Sequence, residues 1–419
     1  MGAAAMPSRY RGLDAIRGVA VMGILAMNIV AFALPFAAYA NPAAGGPPSS
    51  PGLAAWAFNF LFVDSKMRGL FSMLFGASTL LVIERAEAAG RSAARTHYAR
   101  MAWLALFGLA HFYLIWFGDI LFLYAACGLL LFWFRALSIR ALLLWAAGFF
   151  LVGLLLFGAM WSSLLAASAG TLPGDGGAEM QHALVRMNAA MGANSSSYAA
   201  DVARHLGSWR DLVAYRTGAR LGEPFQGLAL MLWESMGLML LGMALYRAHM
   251  LTGEWDPHRY RKWALICFLA ATPPLAAIAL YQVREGFDGV AVFGATALLS
   301  MPFDIVMTIG WAALILWAIG VFATDAVQAR LAAAGRMAFT NYLTTSIVMT
   351  TLFYGYGFGL FGRIDRAPLY LVCAGMWAAM LLWSKPWLDR FHYGPFEWLW
   401  RSLARAELQP MRRRATIVQ

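Results

Sequence analysis

Charge is what this sequence has least of. Charged residues make up 13% of the 419 positions, against 61% hydrophobic ones. A soluble chain of this length carries about a quarter charged residues, because it needs them to cover its surface. The shortage excludes a soluble globular enzyme, a disordered chain and a nucleic-acid binder, and with a mean hydropathy of +0.62 it leaves a polytopic membrane protein. Cysteine is nearly missing too. Cys127, Cys267 and Cys373 sit singly in apolar runs, with no Cys-x-x-Cys or Cys/His spacing, so neither a disulfide framework nor a metal site is expected. No Gly-x-Ser-x-Gly, His-Glu-x-x-His or Walker loop occurs, which removes the hydrolase elbow, the zincin helix and the ATP motor. Internal repeats are absent.

What is present is apolar sequence in runs of about 20 residues, enough to cross a ~30 Å hydrocarbon core as a helix. An all-α protein of about ten transmembrane helices is predicted, at roughly 18–39, 53–83, 101–117, 119–134, 141–167, 225–246, 263–281, 302–322, 337–360 and 368–388. The second run would be about 46 Å long as a straight helix, too long for the core, so it is expected to break, tilt or project. Four segments follow: five spans in 1–167, a loop at 168–224, five more spans in 225–390, and a tail at 391–419. The loop is read either as a lid or binding element or as ordinary surface helices.

The net charge of +11 acquires a meaning once its cations are placed. With the N-terminus inside, 21 of the 32 Lys and Arg fall on the inner side and eight on the outer, and the loop 41–52 has no charge. Basic residues mark the cytoplasmic side. Both termini are therefore expected on the cytoplasmic side, with one long extracytoplasmic loop. A competing reading makes residues 1–40 a cleaved signal peptide ending in Ala38-Tyr39-Ala40, but its apolar run exceeds the usual 7–15 residues. Near the C-terminus, Phe391-to-Arg405 interleaves Trp and Leu with Arg and ends near Arg412-Arg413-Arg414. This pattern predicts an interfacial amphipathic helix and a basic tail partnered with the anionic inner leaflet. The excess charge is chiefly a topology signal, not a nucleic-acid footprint.

An ionisable group inside an apolar span is costly unless paired or hydrated, so each is a functional candidate. Asp64, Lys66 and Arg68 fall in the second span, His111 in the third, Asp119 at the turn into the fourth, and Glu234 in the sixth. Asp64 and Arg68, spaced i,i+4, can neutralise each other. Alternatively, Lys66 and Arg68 line a cavity open to the cytoplasm and attract an anion such as a cofactor's phosphates. His111 falls near the midplane, where a neutral imidazole can act as general base. Asp119 either lies two turns further along the same helix or returns through a bend at Gly118. Glu234 is read as a protonated structural group or as a partner of Lys66 or Arg68. Asp304 reads as a first-turn acid, and Lys385 with Asp389 as snorkelling groups at the inner interface.

The string Arg11-Gly-Leu-Asp14-Ala-Ile-Arg17-Gly18 running on to Asn28 resembles the opening of the YeiB-like bacterial membrane proteins. So do Lys66-Met-Arg-Gly-Leu-Phe71-Ser-Met-Leu-Phe75-Gly76, the stretch from His111 to Leu121, Gly335-Arg336 through Tyr342, and Tyr393-Gly394-Pro395-Phe-Glu397-Trp398. The family has a C-terminal module of unassigned function, and its N-terminal half is similar to transmembrane acyltransferases of the heparan-glucosaminide N-acetyltransferase type. The resemblance implies acyl transfer from cytoplasmic acyl-CoA, as co-substrate, to an extracytoplasmic glycan, lipid or small-molecule acceptor. It implies roles for Asp14, Arg17 and Asn28 in the opening motif, for Lys66 and Arg68 in holding the donor, and for His111 with Asp119 in catalysis. Two other classes stay open: a proton-coupled transporter or flippase using His111, Asp119 and Glu234, and a membrane scaffold presenting the 168–224 loop. The oligomeric state is open as well.

Overall fold

The computed structural model describes residues 8–171 and 174–413, and among them the chain is helix and connecting turn, with no strand. The first half runs through α1 (Ser8–Ala33), the short α2 (Phe36–Ala40), α3 (Ser50–Phe62), α4 (Lys66–Ala88), α5 (Ala93–Ala110), α6 (Leu121–Leu131) and α7 (Ile139–Ser168). The long loop is itself helical: α8 (Gly174–Met191), α9 (Tyr198–His205) and α10 (Trp209–Thr217). The second half comprises α11 (Glu223–Arg247), α12 (Pro257–Arg284), α13 (Gly289–Gly294), α14 (Met301–Phe322), α15 (Asp325–Arg336), α16 (Ala338–Phe353), α17 (Leu369–Arg390) and α18 (Pro395–Arg405).

Eight helical stretches among the described residues are long and apolar enough to cross a membrane. The two remaining expected spans, 119–134 and 337–360, are shorter helices, and each is cut short for a visible reason. The first begins only at Leu121, because α5 widens into a π-helical turn over His111–Ile115 and the chain then runs extended through Trp116. The second stops at Phe353, where Gly355, Gly357, Gly359 and Gly362 take over. The long second run breaks at Val63–Ser65, where Ser65 adopts φ 60° between α3 and α4. A non-glycine residue there is strained, and Asp64 helps to hold the turn by accepting from the Ser65 amide at 2.9 Å.

Burial sorts the helices. α1, α4 and α11 supply the densest core, whereas α7, α12 and α17 leave Leu144, Leu151, Leu269, Leu371 and Leu382 exposed, the outward face expected of helices in lipid. Two glycine seams bring backbones together. A Cβ on Gly76 would meet the Met239 carbonyl oxygen at 2.0 Å, and one on Gly242 would meet that of Met73 at 2.0 Å, so α4 and α11 cross backbone to backbone. The same reciprocity joins α1 to α15, with Gly18 against Leu331 and Gly335 against Asp14. Gly242→Leu is expected to lower stability by about 1–3 kcal/mol or to abolish folding, because neither backbone can retreat. Gly148→Leu, where nothing lies within 4 Å, is the control that should match wild type in thermal unfolding of detergent-solubilised protein.

The bundle has two unlike ends. At one, α8–α10 form a helical cap: Asp201 accepts from the Phe36 amide at 3.1 Å, Asn41 donates to Met191 O at 2.6 Å, and Trp209 Nε1 donates to Leu114 O at 2.8 Å. At the other lie the arginines of α1, α4, α5, α15 and α18.

Candidate functional site

At the arginine-rich end a cavity of about 310 Å³ opens between α1, α4, α5, α15, α16 and α18. Its charged lining is Arg17, Arg85, Arg100, Arg336 and Arg401 against Asp14 and Glu397, and its deeper wall is Phe71, Leu74, Phe75, Met101, Leu104, Leu121 and Phe339. The guanidinium groups are posted by packing. Arg17 bonds Asp14 and Ser78, both at 2.8 Å. Arg100 stacks 4.0 Å over Trp400, whose indole N–H returns a bond to Arg100 O at 2.9 Å, and Arg401 lies 4.7 Å from the Tyr393 ring. Glu397 fixes α18 in place, accepting from the Phe339 and Thr340 amides at 2.8 and 3.0 Å and from the Thr340 hydroxyl at 2.5 Å. Burial pushes the Glu397 carboxyl above its usual range, and these bonds at the start of α16 oppose that shift. A positive rim over an apolar interior suits a ligand with an anionic head and a slender, less polar arm.

Tyr342 closes the inner end. It lines this cavity on one face and a second, one-water-sized space of about 10 Å³ on the other, which Asn28, Phe32, Trp116, Thr345 and Ser346 also border. Its hydroxyl donates to Gly118 O at 3.3 Å, and its ring centroid is 5.1 Å from that of His111. His111 is 1% exposed. The π-helical turn closes with the Trp116 amide on His111 O at 2.9 Å, which re-aims the helix just where the imidazole projects. The extended stretch after it returns Asp119 to His111, Oδ1 to Nδ1 at 2.9 Å, while Oδ2 accepts the Phe122 amide at 2.8 Å. Of the two sequence alternatives, the bend is the one present. With Nδ1 donating to the carboxylate, Nε2 is left as a basic lone pair, and it is buried without a partner among the described residues, as is Trp116 Nε1.

Lys66 and Arg68 do not reach either space. Lys66, 1% exposed, pairs with Asp304 at 2.6 Å and donates to Phe60 O at 2.5 Å, and Ser300 donates to the same carboxylate at 2.8 Å. Arg68 pairs with Glu234 at 2.9 Å, so Asp64 is not its partner; Asp64 instead accepts from the Tyr39 hydroxyl at 2.7 Å. These cations are therefore consumed in ion pairs between helices distant in sequence. Among the residues named from the N-terminal motif, Arg17 and Asp14 line the large cavity and Asn28 the small one. Lys385 and Asp389 form an exposed i,i+4 pair at 2.8 Å. Sequence reasoning missed Arg100, Arg401 and the wall residue Tyr342 as site components. The signal for Tyr342, Arg336 and Glu397 lay in the two C-terminal stretches quoted for the family resemblance.

Residues 245–407 match the family described as "Protein of unknown function (DUF418)". The chain is 35% identical over 399 residues to the Escherichia coli (strain K12) protein named "Uncharacterized protein YeiB", covering 93% of this chain and 95% of that one. It is 29% identical over 411 residues to "Uncharacterized protein YxaH" of Bacillus subtilis (strain 168), covering 97% and 96%. No solved structure matches it.

Proposed function

Because the chain belongs to the YeiB-like family of bacterial proteins, we propose that it is a multi-pass enzyme of the bacterial cytoplasmic membrane that moves an acyl group from cytoplasmic acyl-CoA to an acceptor on the far side. The observation that carries this reading is the arginine-rimmed cavity whose inner wall, Tyr342, lies in ring contact with His111. Arg17, Arg100, Arg336 and Arg401 would hold the phosphates of the donor at the rim, and the apolar wall would guide its thioester arm toward Tyr342. On the other side of that ring, His111 Nε2 takes the proton of an acceptor hydroxyl or amine as the acceptor oxygen or nitrogen attacks the thioester carbonyl carbon. The carbon–sulfur bond then breaks, the imidazolium gives that proton to the departing CoA sulfur, and the CoA thiol leaves toward the rim. Asp119 orients the ring and stabilises the imidazolium. Placing the arginine-rich end and the basic tail on the anionic inner leaflet agrees with the basic-residue bias; Arg414 lies outside the described residues.

Full-length protein in nanodiscs is expected to bind CoA with an affinity that falls as salt rises. Arg100→Ala and Arg401→Ala together should weaken it by roughly tenfold or more, the loss expected for removed charge-assisted bonds. Unaltered CoA binding in that variant, by calorimetric titration, would remove the cavity from the mechanism. The second reading, a proton-coupled transporter, draws on the buried Lys66–Asp304 and Arg68–Glu234 pairs. Proton-gradient-dependent solute flux in liposomes without acyl-CoA would favour it.

A further inference from the structure

The end of the bundle opposite the arginine-rimmed cavity holds a cation that the acyl-transfer reading leaves unused. Arg216, on α10, is 2% exposed and takes part in no ion pair among the described residues, unlike the cap arginines Arg204 and Arg220. Arg204 has Asp201 at 3.3 Å, and Arg220 has Glu223 at 2.5 Å. One Arg216 nitrogen, Nη1, donates to Ile115 O at 3.0 Å, capping the carbonyl end of the π-helical turn that starts at His111. That bond accounts for Nη1 and for part of the charge, since the carbonyl end of a helix is partially negative. Nη2 is buried and has no partner. A buried cation with an unfilled donor is costly unless something anionic meets it.

A second orphan lies at the same end. Tyr354 is 0% exposed, its hydroxyl also lacks a partner among the described residues, it shares a buried apolar cluster with Leu212 of α10, and the amide of the next residue, Gly355, donates to His205 O at 2.9 Å. A phenol keeps its proton at neutral pH, so this hydroxyl is able to donate. Its ring packs 4.9 Å from His205 and 5.9 Å from Tyr356, and Tyr356 is exposed, which marks the approach from the outer end. Two unfilled donors, one of them a guanidinium, beside an aromatic approach are the chemistry of an oxyanion receptor.

We propose that Arg216 Nη2 and the Tyr354 hydroxyl form a second ligand site, on the capped end, for a phosphate group. The phosphate comes either from a lipid headgroup at the outer surface or from a free phosphate compound. Binding draws Arg216 toward the anion and so loosens its hold on Ile115, which links the cap to the turn that carries His111. The site stands apart from acyl transfer; only its assignment as the place where an anionic acceptor docks rests on that reading.

Full-length protein in phosphate-free maltoside micelles provides the test, with inorganic phosphate titrated in one arm and phosphatidylglycerol added in the other. Amide hydrogen exchange over 209–217 is the local readout, because phosphate also has the arginine-rimmed cavity to bind. Wild type should show at least fivefold slower exchange there in one arm or both, and the responding arm identifies the source. Tyr354→Phe, which removes a hydroxyl with no native bond, should fold normally and lose that protection, and Arg216→Ala should lose it too. Arg100→Ala with Arg401→Ala should retain it, which separates this site from the donor cavity. Full protection in Tyr354→Phe, or no protection of wild type by either probe, overturns the proposal.

Discussion

His111→Ala protein is expected to bind CoA as wild type does while losing about 10²- to 10⁴-fold of its acyl-transfer rate, the usual contribution of a positioned general base. The imidazole does not itself line the cavity and meets it only through the Tyr342 ring, so donor affinity has little reason to change. What disappears is the unpartnered Nε2, the basic atom beyond Tyr342. Asp119→Asn should lose about as much as His111→Ala, because one amide oxygen cannot serve both the Phe122 amide and Nδ1, and an amide NH2 turned toward Nδ1 puts the imidazole proton on Nε2. Single-turnover loss of the thioester, set beside equilibrium CoA binding, separates the two steps. A parallel fall in both would mean that His111 serves only to hold the helix end together.

The second large effect concerns stability. Asp304→Asn is expected to cost about 3–5 kcal/mol, because it strands the Lys66 ammonium, 1% exposed, without its counter-charge. The double variant Lys66→Met with Asp304→Leu should recover most of that loss, since replacing both partners of a buried pair by apolar groups is often near neutral. Thermal unfolding in nanodiscs measures both, and CoA titration of the double variant completes the argument. Near-wild-type CoA affinity in the recovered protein makes Lys66 a structural residue. A stable double variant that cannot bind CoA would return Lys66 to the donor site.

These two cases show where the sequence was readable. Apolar runs marked the eight long membrane-crossing helices, while the break in the second run and the return of Asp119 near Gly118 were each one of the alternatives that length and a single glycine left open. The partners of Lys66 and Arg68 did not, because Asp304 and Glu234 stand on other helices, and periodicity orders residues only along one. Asp64 and Arg68 satisfied the i,i+4 rule, yet Tyr39 and Glu234 compete for them from outside the helix. The arginine-rimmed cavity escaped notice for the same reason. Its cations come from five helices, and those on α18 belong to a pattern that reads equally well as a surface anchor.

The glycine seam between α1 and α15 also sets a schedule. α1 leaves the ribosome before the other described helices, but the surface that Gly18 must press against, around Leu331, is synthesised after most of them. Until then a helix destined for the centre of the bundle stands with a bare backbone stripe and with Arg17 short of its permanent surroundings. Assembly of this protein therefore cannot proceed by finishing the N-terminal half and adding the rest. Ribosome-bound chains halted before residue 325 should leave α1 open to protease or cysteine-labelling reagents, and release of the finished chain should close it.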